Sequence, residues 1–282
     1  MFAYVGLFFA VLGRLSPTLA GRLAAKLFAR PRRHARPARE TELIARGTRV
    51  ALPDGLHATA WGAGPTVLLV HGWEGRGAQL GAFVDPLVAA GYRVVALDGP
   101  AHGDSPGATT TGPEFAQALV ATRDAVGPLA AIVGHSFGGF TSLLAVSRGL
   151  PTSRIVTIGT PASVPEVLRD FLRMIHLPDR ALPSMIAALE ARVGAPLASF
   201  EVEAFAPTVN VPVLVVHDTD DREVPYADGP RLAEVFGARL LTTNGLGHRR
   251  ILFAREVVAA AVEFIEEGRR IGATRSSAME QR

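Results

Sequence analysis

Cysteine is absent from all 282 residues, which excludes a disulfide framework, a thiolate nucleophile and a cysteine-ligated zinc or iron–sulfur centre. A reducing compartment is therefore permitted. No internal repeat is present. Residues 1–13 are almost purely apolar, yet fall short of the about 20 residues needed to cross a bilayer. Their positive charges follow the apolar stretch and no A-x-A cleavage site appears, which argues against a secretory signal. Acidic residues are missing from residues 1–39, which hold eight of the 29 Lys and Arg. The formal charge of +3 thus reports a basic arm on a mildly acidic body, with no phosphate-tracking stripe and no nucleic acid expected as partner. Two readings of residues 1–30 stay open. They form an interfacial helix with Arg14, Arg22, Lys26 and Arg30 at anionic headgroups, or a helix docked on the protein itself.

What is present is glycine, proline and short apolar runs. The 29 glycines and 20 prolines are spread through the chain, as suits many short elements joined by turns. Residues 32–39, rich in Pro and Arg, read as a linker between the arm (1–39) and a single body (40–267). Segments 48–52 and 57–61 flank Pro53-Asp54-Gly55 and predict a hairpin at a sheet edge. Strand-like runs at 66–70, 93–97, 130–133, 155–158, 213–216 and 239–243 are separated by helix-like stretches. That alternation predicts a mostly parallel α/β sheet of about eight strands. A helix is expected over 80–90, closed by Gly91, and another opening on the capping box Thr111-Gly-Pro-Glu114. Residues 164–207, interrupted by Pro178, Pro183 and Pro196, are too long for one crossover and predict a small helical cap. Residues 268–282 lack periodicity and are expected to fray.

The chemistry concentrates after the strands. Gly134-His135-Ser136-Phe137-Gly138 fits G-x-S-x-G directly between a strand and a helix, where a sharp turn projects the serine hydroxyl and glycine avoids collision. Serine needs a base, and the base needs an orienting acid. The strand at 213–216 runs into His217-Asp218-Thr219-Asp220-Asp221, and the last strand into Gly245-Leu246-Gly247-His248. Both groups follow the carboxyl end of a strand, the edge where open α/β sheets bind ligands, so Ser136, an acid and His248 converge there.

At these residues the chain resembles the α/β-hydrolase family over roughly residues 46–267. The family order of serine, acid, histidine is matched by Ser136, Asp221 and His248. His71-Gly72-Trp73 resembles the family's oxyanion loop, and residues 98–105, ending in His102-Gly-Asp-Ser105, resemble a second family loop. Asp218 stands where the family's acid segment has glycine, which keeps Asp220 open as an alternative acid. The resemblance implies an oxyanion hole from the backbone N–H groups of Trp73 and Phe137. A serine esterase working through an acyl-enzyme is the default expectation for this triad, with no cofactor and no metal expected. Asp where the family's epoxide- and haloalkane-cleaving members carry it is here Ser136, which disfavours those chemistries.

His71, His102 and His217 read as structural, and the chain has no H-E-x-x-H metal motif. Arg249 and Arg250 would start the last helix against its dipole, as solvated residues or as guides for anionic substrates. Phe171, Leu172, Met174, Ile175, Met185, Ile186 and Leu189 of the cap form either an apolar acyl lining or the cap's own core. The expected partner is a small-molecule ester of medium apolar acyl size. Thioesters, lipids, amides and carbon–carbon bonds remain alternatives for the same triad. A non-catalytic scaffold on the same fold is a rival of another class. The expected location is the cytoplasm, with the arm open to the inner membrane surface. Oligomeric state is not legible.

Overall fold

Strands that are apolar at every position must be covered on both faces, and period-two alternation divides their side chains between two layers. The computed structural model describes the backbone of residues 2–280 and the side chains of residues 4–270. β1 (Thr48–Ala51), β2 (His57–Trp61), β3 (Thr66–Val70), β4 (Arg93–Asp98), β5 (Leu129–His135), β6 (Ile155–Ile158), β7 (Val213–Asp218) and β8 (Arg239–Thr243) form one sheet. Its order is β1-β2-β4-β3-β5-β6-β7-β8. β1 and β2 pair antiparallel at one edge and all later strands are parallel, the α/β arrangement expected from the apolar runs.

Leu68, Val70, Val95, Leu97 and Ile132 face a layer built on α5 (Gly112–Val126) and α6 (Phe137–Ser147). Val67, Leu69, Val94, Ala96 and Val133 face the opposite layer, built on α4 (Val84–Ala89) and α12 (Arg255–Glu280). Half of the capping box expected at α5 forms: Thr111 accepts from Glu114 N–H at 3.4 Å, while the Glu114 carboxylate pairs with Arg192 at 3.2 Å.

Three local expectations change. The helix expected over 80–90 is a 3₁₀ segment, Gly77–Phe83, followed by the short α4, because Pro86 has no N–H to donate back into the preceding segment and sits in the first turn of a new helix. The tail expected to fray from residue 268 is helical to Glu280: no proline follows residue 255, and Arg269 donates to the Ala90 carbonyl at 3.2 Å. Residues 281–282 lie outside the described residues. Arg249 and Arg250 do not open a long helix. They end α11 (Gly247–Arg250), where positive charge is favourable, and Arg250 donates to the Gly245 and Leu246 carbonyls at 2.7 and 3.0 Å. Arg249 pairs with Glu223 at 2.8 Å.

The inserted segment folds as α7 (Val164–Met174), α8 (Leu182–Val193) and α9 (Val202–Phe205), joined by 3₁₀ turns. The N-terminal arm is two helices, α1 (Phe2–Leu15) and α2 (Pro17–Phe28), which share an apolar cluster with the cap. No helix among the described residues is long and apolar enough to cross a membrane.

Candidate active site

β5 delivers Ser136 on a turn that the flanking glycines make sterically accessible. A Cβ at Gly134 would stand 2.6 Å from the Gly139 Cα, and one at Gly138 would collide with the Val70 and His71 carbonyls. Ser136 itself holds φ 53°, ψ −124°, a left-handed conformation that costs a non-glycine residue about 1–3 kcal/mol and is held by surrounding structure. One such hold is its N–H, which donates to the Ile158 carbonyl at 2.8 Å. The side chain is partly exposed at the head of α6.

His248 comes to this edge on α11, after β8. Its Nδ1 donates to Asp221 Oδ2 at 2.7 Å, which leaves Nε2 on the side of the ring away from the acid. Asp221 Oδ1 accepts from the N–H groups of Glu223 and Val224, both at 2.9 Å. Burial opposes ionisation of Asp221. The His248 hydrogen bond and charge, with those two N–H groups, outweigh it and hold the carboxyl below its usual range. Gly159, with φ 55°, ends β6 beside the pair: a Cβ there would lie 3.2 Å from both Asp221 Oδ2 and His248 Nδ1.

Asp220, the alternative acid, accepts instead from Gly245 N–H at 3.0 Å and points into the exposed loop. Asp218 has a larger part than its position as a glycine replacement suggested. Fully buried, it accepts from Asp220 N–H (3.0 Å) and Gly247 N–H (2.8 Å) on one oxygen. Its other oxygen accepts from the Thr243 hydroxyl (2.7 Å) and Leu246 N–H (3.1 Å). These four bonds tie the acid loop to the loop that carries His248. They overcome the opposing effect of burial and keep Asp218 ionised below the usual carboxylate range. His135 adds a second tie missed in the sequence: its Nε2 donates to the His248 carbonyl at 2.8 Å, with the ring centroids 4.6 Å apart. Burial, then the neighbouring His248, lowers His135 to about 3, so it stays neutral.

His71 takes the structural place expected of it. Nδ1 donates to the Gly72 carbonyl at 2.7 Å while Nε2 accepts from Gly99 N–H at 3.0 Å, a pair of bonds available only to the neutral ring. Gly72 then passes so close to the nucleophile turn that a Cβ on it would lie 3.0 Å from the Ser136 Cβ. Trp73 and Phe137, both partly exposed, meet edge-to-face at 5.2 Å. Phe115 packs on Phe137 at 5.4 Å and His102 on Trp73 at 5.1 Å.

One aromatic contact to Trp73 comes from the arm, with no local signal to foretell it. Phe28 at the end of α2 stacks on Trp73 (5.9 Å, 12°) and meets Phe171 of the cap edge-on at 5.1 Å. The linker is bonded to the same loop: Arg32 makes two 2.7 Å bonds to Glu74, and Arg76 pairs with the buried Glu40. Of the cap residues weighed as acyl lining, Leu172, Ile175, Met185 and Leu189 are buried in the cluster with the arm, and Met174 is exposed. Phe171 reaches Phe28.

Among the described residues, His57, Asp98 and Asp104 form the grouping whose ligand atoms approach within 4.8 Å. The Arg36 guanidinium already lies 2.7 Å from Asp104 and 4.0 Å from Asp98, supplying the positive charge there.

An α/β-hydrolase fold family model matches residues 65–211, more than half of the chain. The protein belongs to the α/β-hydrolase family. It is a hydrolase, and its resemblance to the family is thereby established. A TAP-like protein model also matches residues 195–272. A pimeloyl-[acyl-carrier protein] methyl ester esterase of Aromatoleum aromaticum is 29% identical over 72% of this chain and 99% of its own length. A non-heme chloroperoxidase of Streptomyces lividans is 27% identical over 70% of this chain and 91% of its own. Among solved structures, a bacterial membrane phospholipase A superposes with a TM-score of 0.63 at 21% identity, covering 82% of this chain and 89% of that one. That last likeness is one of fold.

Proposed function

We propose that this hydrolase is a serine esterase that cleaves carboxylic esters through an acyl-enzyme. The observation that carries the reading is the 2.7 Å His248–Asp221 bond beside the strained Ser136 turn. Asp221 holds the imidazole in the Nδ1–H tautomer, His248 Nε2 takes the Ser136 proton, and Oγ attacks the ester carbonyl. The backbone N–H groups of Trp73 and Phe137 receive the developing oxyanion, a contribution typically worth about 3 kcal/mol per donor. His248 returns the proton to the leaving alcohol, and water then releases the acid by the same route.

The body, residues 40–267, carries this chemistry. The cap, residues 164–207, and the arm, residues 1–39, shape access to it. Trp73, Phe137, Phe28 and Phe171 make an aromatic wall that favours a medium apolar acyl chain over acetate. The ester-cleaving relative from Aromatoleum aromaticum supports esters as the substrate class. In the same reading the enzyme works in the cytoplasm. The test is turnover of p-nitrophenyl acetate against p-nitrophenyl octanoate: preference for octanoate is expected, and equal kcat/KM for the two removes the acyl-size assignment.

A further inference from the structure

The arm resolves the choice left open by its sequence, because α1 and α2 have two different faces. The inner face is built mainly on small residues, with Phe9 among them. A Cβ at Gly13 would stand 2.8 Å from Pro178, one at Gly21 2.8 Å from the Ser184 Cβ, and one at Gly6 would strike His176. Ala20, Ala24 and Phe9 complete this face and are buried against Leu172, Ile175, Leu177 and Met185 of the cap. The arm is therefore docked on the protein, and the docking uses up that face.

The outer face is large and apolar. Tyr4, Leu7, Phe8, Val11 and Leu15 of α1 and Leu19 of α2 are 48–80% exposed. At the helical spacing of about 100° per residue, the five on α1 fall within a stripe roughly 100° wide, opposite the buried Phe9 and Gly13. Arg14 lies at the edge of that stripe, and on α2 the exposed Arg22 and Lys26 follow Leu19 about one and two turns on, within about 60° of it. A contiguous exposed patch of this kind marks an interaction surface rather than scattered surface leucines.

Charge decides which surface. Residues 1–39 contain no acidic side chain. Arg32, Arg33 and Arg36 are engaged by the body, at Glu74, at the carbonyls of Ala101, Ser105 and Gly107, and at Asp104. Arg14, Arg22, Lys26 and Arg30 are exposed and join no ion pair among the described residues. A self-complementary dimer would set these four cations against their own copies, whereas anionic headgroups complement them. The 14 residues of α1 extend only about 21 Å, less than the about 30 Å hydrocarbon core, so the helix lies along a bilayer instead of crossing it.

We propose that the outer face of α1 and α2 docks in the interface of an anionic lipid bilayer, with the apolar stripe inserted and Arg14, Arg22 and Lys26 at the headgroups. The docking is independent of the reaction assigned to Ser136, and its test is sedimentation, not turnover. Full-length protein is spun with phosphatidylcholine vesicles with and without phosphatidylglycerol, at low and high salt, beside Leu7→Glu/Val11→Glu and Arg14→Gln/Arg22→Gln/Lys26→Gln. All five side chains point to solvent, so both variants keep the wild-type melting temperature.

Wild type is expected to pellet with the phosphatidylglycerol vesicles and to be released by salt. The apolar-face variant is expected to partition about tenfold or more weaker. The charge variant is expected to fall to the level seen on phosphatidylcholine alone. Wild type that stays in the supernatant, or that binds both vesicles equally, overturns the proposal. So does light scattering that shows a wild-type dimer broken by Leu7→Glu/Val11→Glu without vesicle binding, which assigns the face to a second copy of the chain.

Discussion

Replacing Asp218 by alanine tests whether the acid loop and the histidine loop are held as one unit. The carboxylate accepts four hydrogen bonds, from Thr243, Leu246, Gly247 and Asp220, and is fully buried. Each buried donor left without a partner costs about 1–3 kcal/mol. Leu246 and Gly247 are partly exposed, so water satisfies part of the deficit, and removal of a buried charge offsets more. A net loss of about 3 kcal/mol remains, which at about 2–4 °C per kcal/mol lowers Tm by about 6–12 °C. Gly247 precedes His248 directly, so release of its N–H shifts the imidazole. A displacement near 1 Å costs about 100-fold in kcat.

Asp218→Asn should fall between the two. One oxygen still accepts from Asp220 and Gly247 while the amide nitrogen cannot accept from Leu246. Asp220→Asn, which alters one exposed bond to Gly245, should leave kcat unchanged. The assays are scanning fluorimetry and turnover of a p-nitrophenyl ester well below the melting transition. An Asp218→Ala protein that melts earlier yet turns over like wild type would refute the positioning role, and one unchanged in both would refute the energetic reasoning.

Phe28→Ala removes the ring stacked on Trp73, an aromatic pair worth about 0.5–1.5 kcal/mol, so kcat/KM for an octanoyl ester should fall about 2- to 12-fold with the acetyl ester little affected. Equal losses on both esters would show that the stack supports the oxyanion loop without selecting the acyl chain. Asp228 is pushed up to about 6, chiefly by burial, and accepts from Ala162 N–H at 3.1 Å. Because its folded pKa lies above the unfolded one, the folded state binds the extra proton, and stability falls as pH rises through about 4 to 6. Asp228→Asn keeps an acceptor and removes that dependence, so denaturation curves should show the variant stabilised relative to wild type at pH 8 and the gain shrinking toward pH 4. A pH-independent difference would contradict it.

The sheet was legible because its strands are short apolar runs bounded by glycine and proline, and period-two burial follows from any such run covered on both sides. Ser136 and His248 were legible for a related reason: each lies in a glycine-bearing segment directly after a strand, and strand ends converge by topology. Geometry then separates Asp221 from Asp220, which differ by one position in a loop whose local sequence suits either. Asp218 carried a signal, an acid where glycine is customary, but its partners Thr243, Leu246 and Gly247 arrive from 25 to 29 residues away. The cap residues Leu172, Ile175, Met185 and Leu189 were ambiguous between lining and core because amphipathicity states that a face is buried and not against what. The arm covers them. Phe28 reaches Trp73 across 45 residues of chain, a contact that depends on how α2 seats on the cap and has no local mark.

The most direct measurement is intact mass after fluorophosphonate treatment of wild type, Ser136→Ala and His248→Ala, since the reagent reports an activated serine without needing the substrate. One adduct on wild type, none on Ser136→Ala and strongly slowed labelling of His248→Ala are expected. Folded wild type that takes no adduct, or a Ser136→Ala protein that still does, would contradict the assignment of Ser136 as nucleophile.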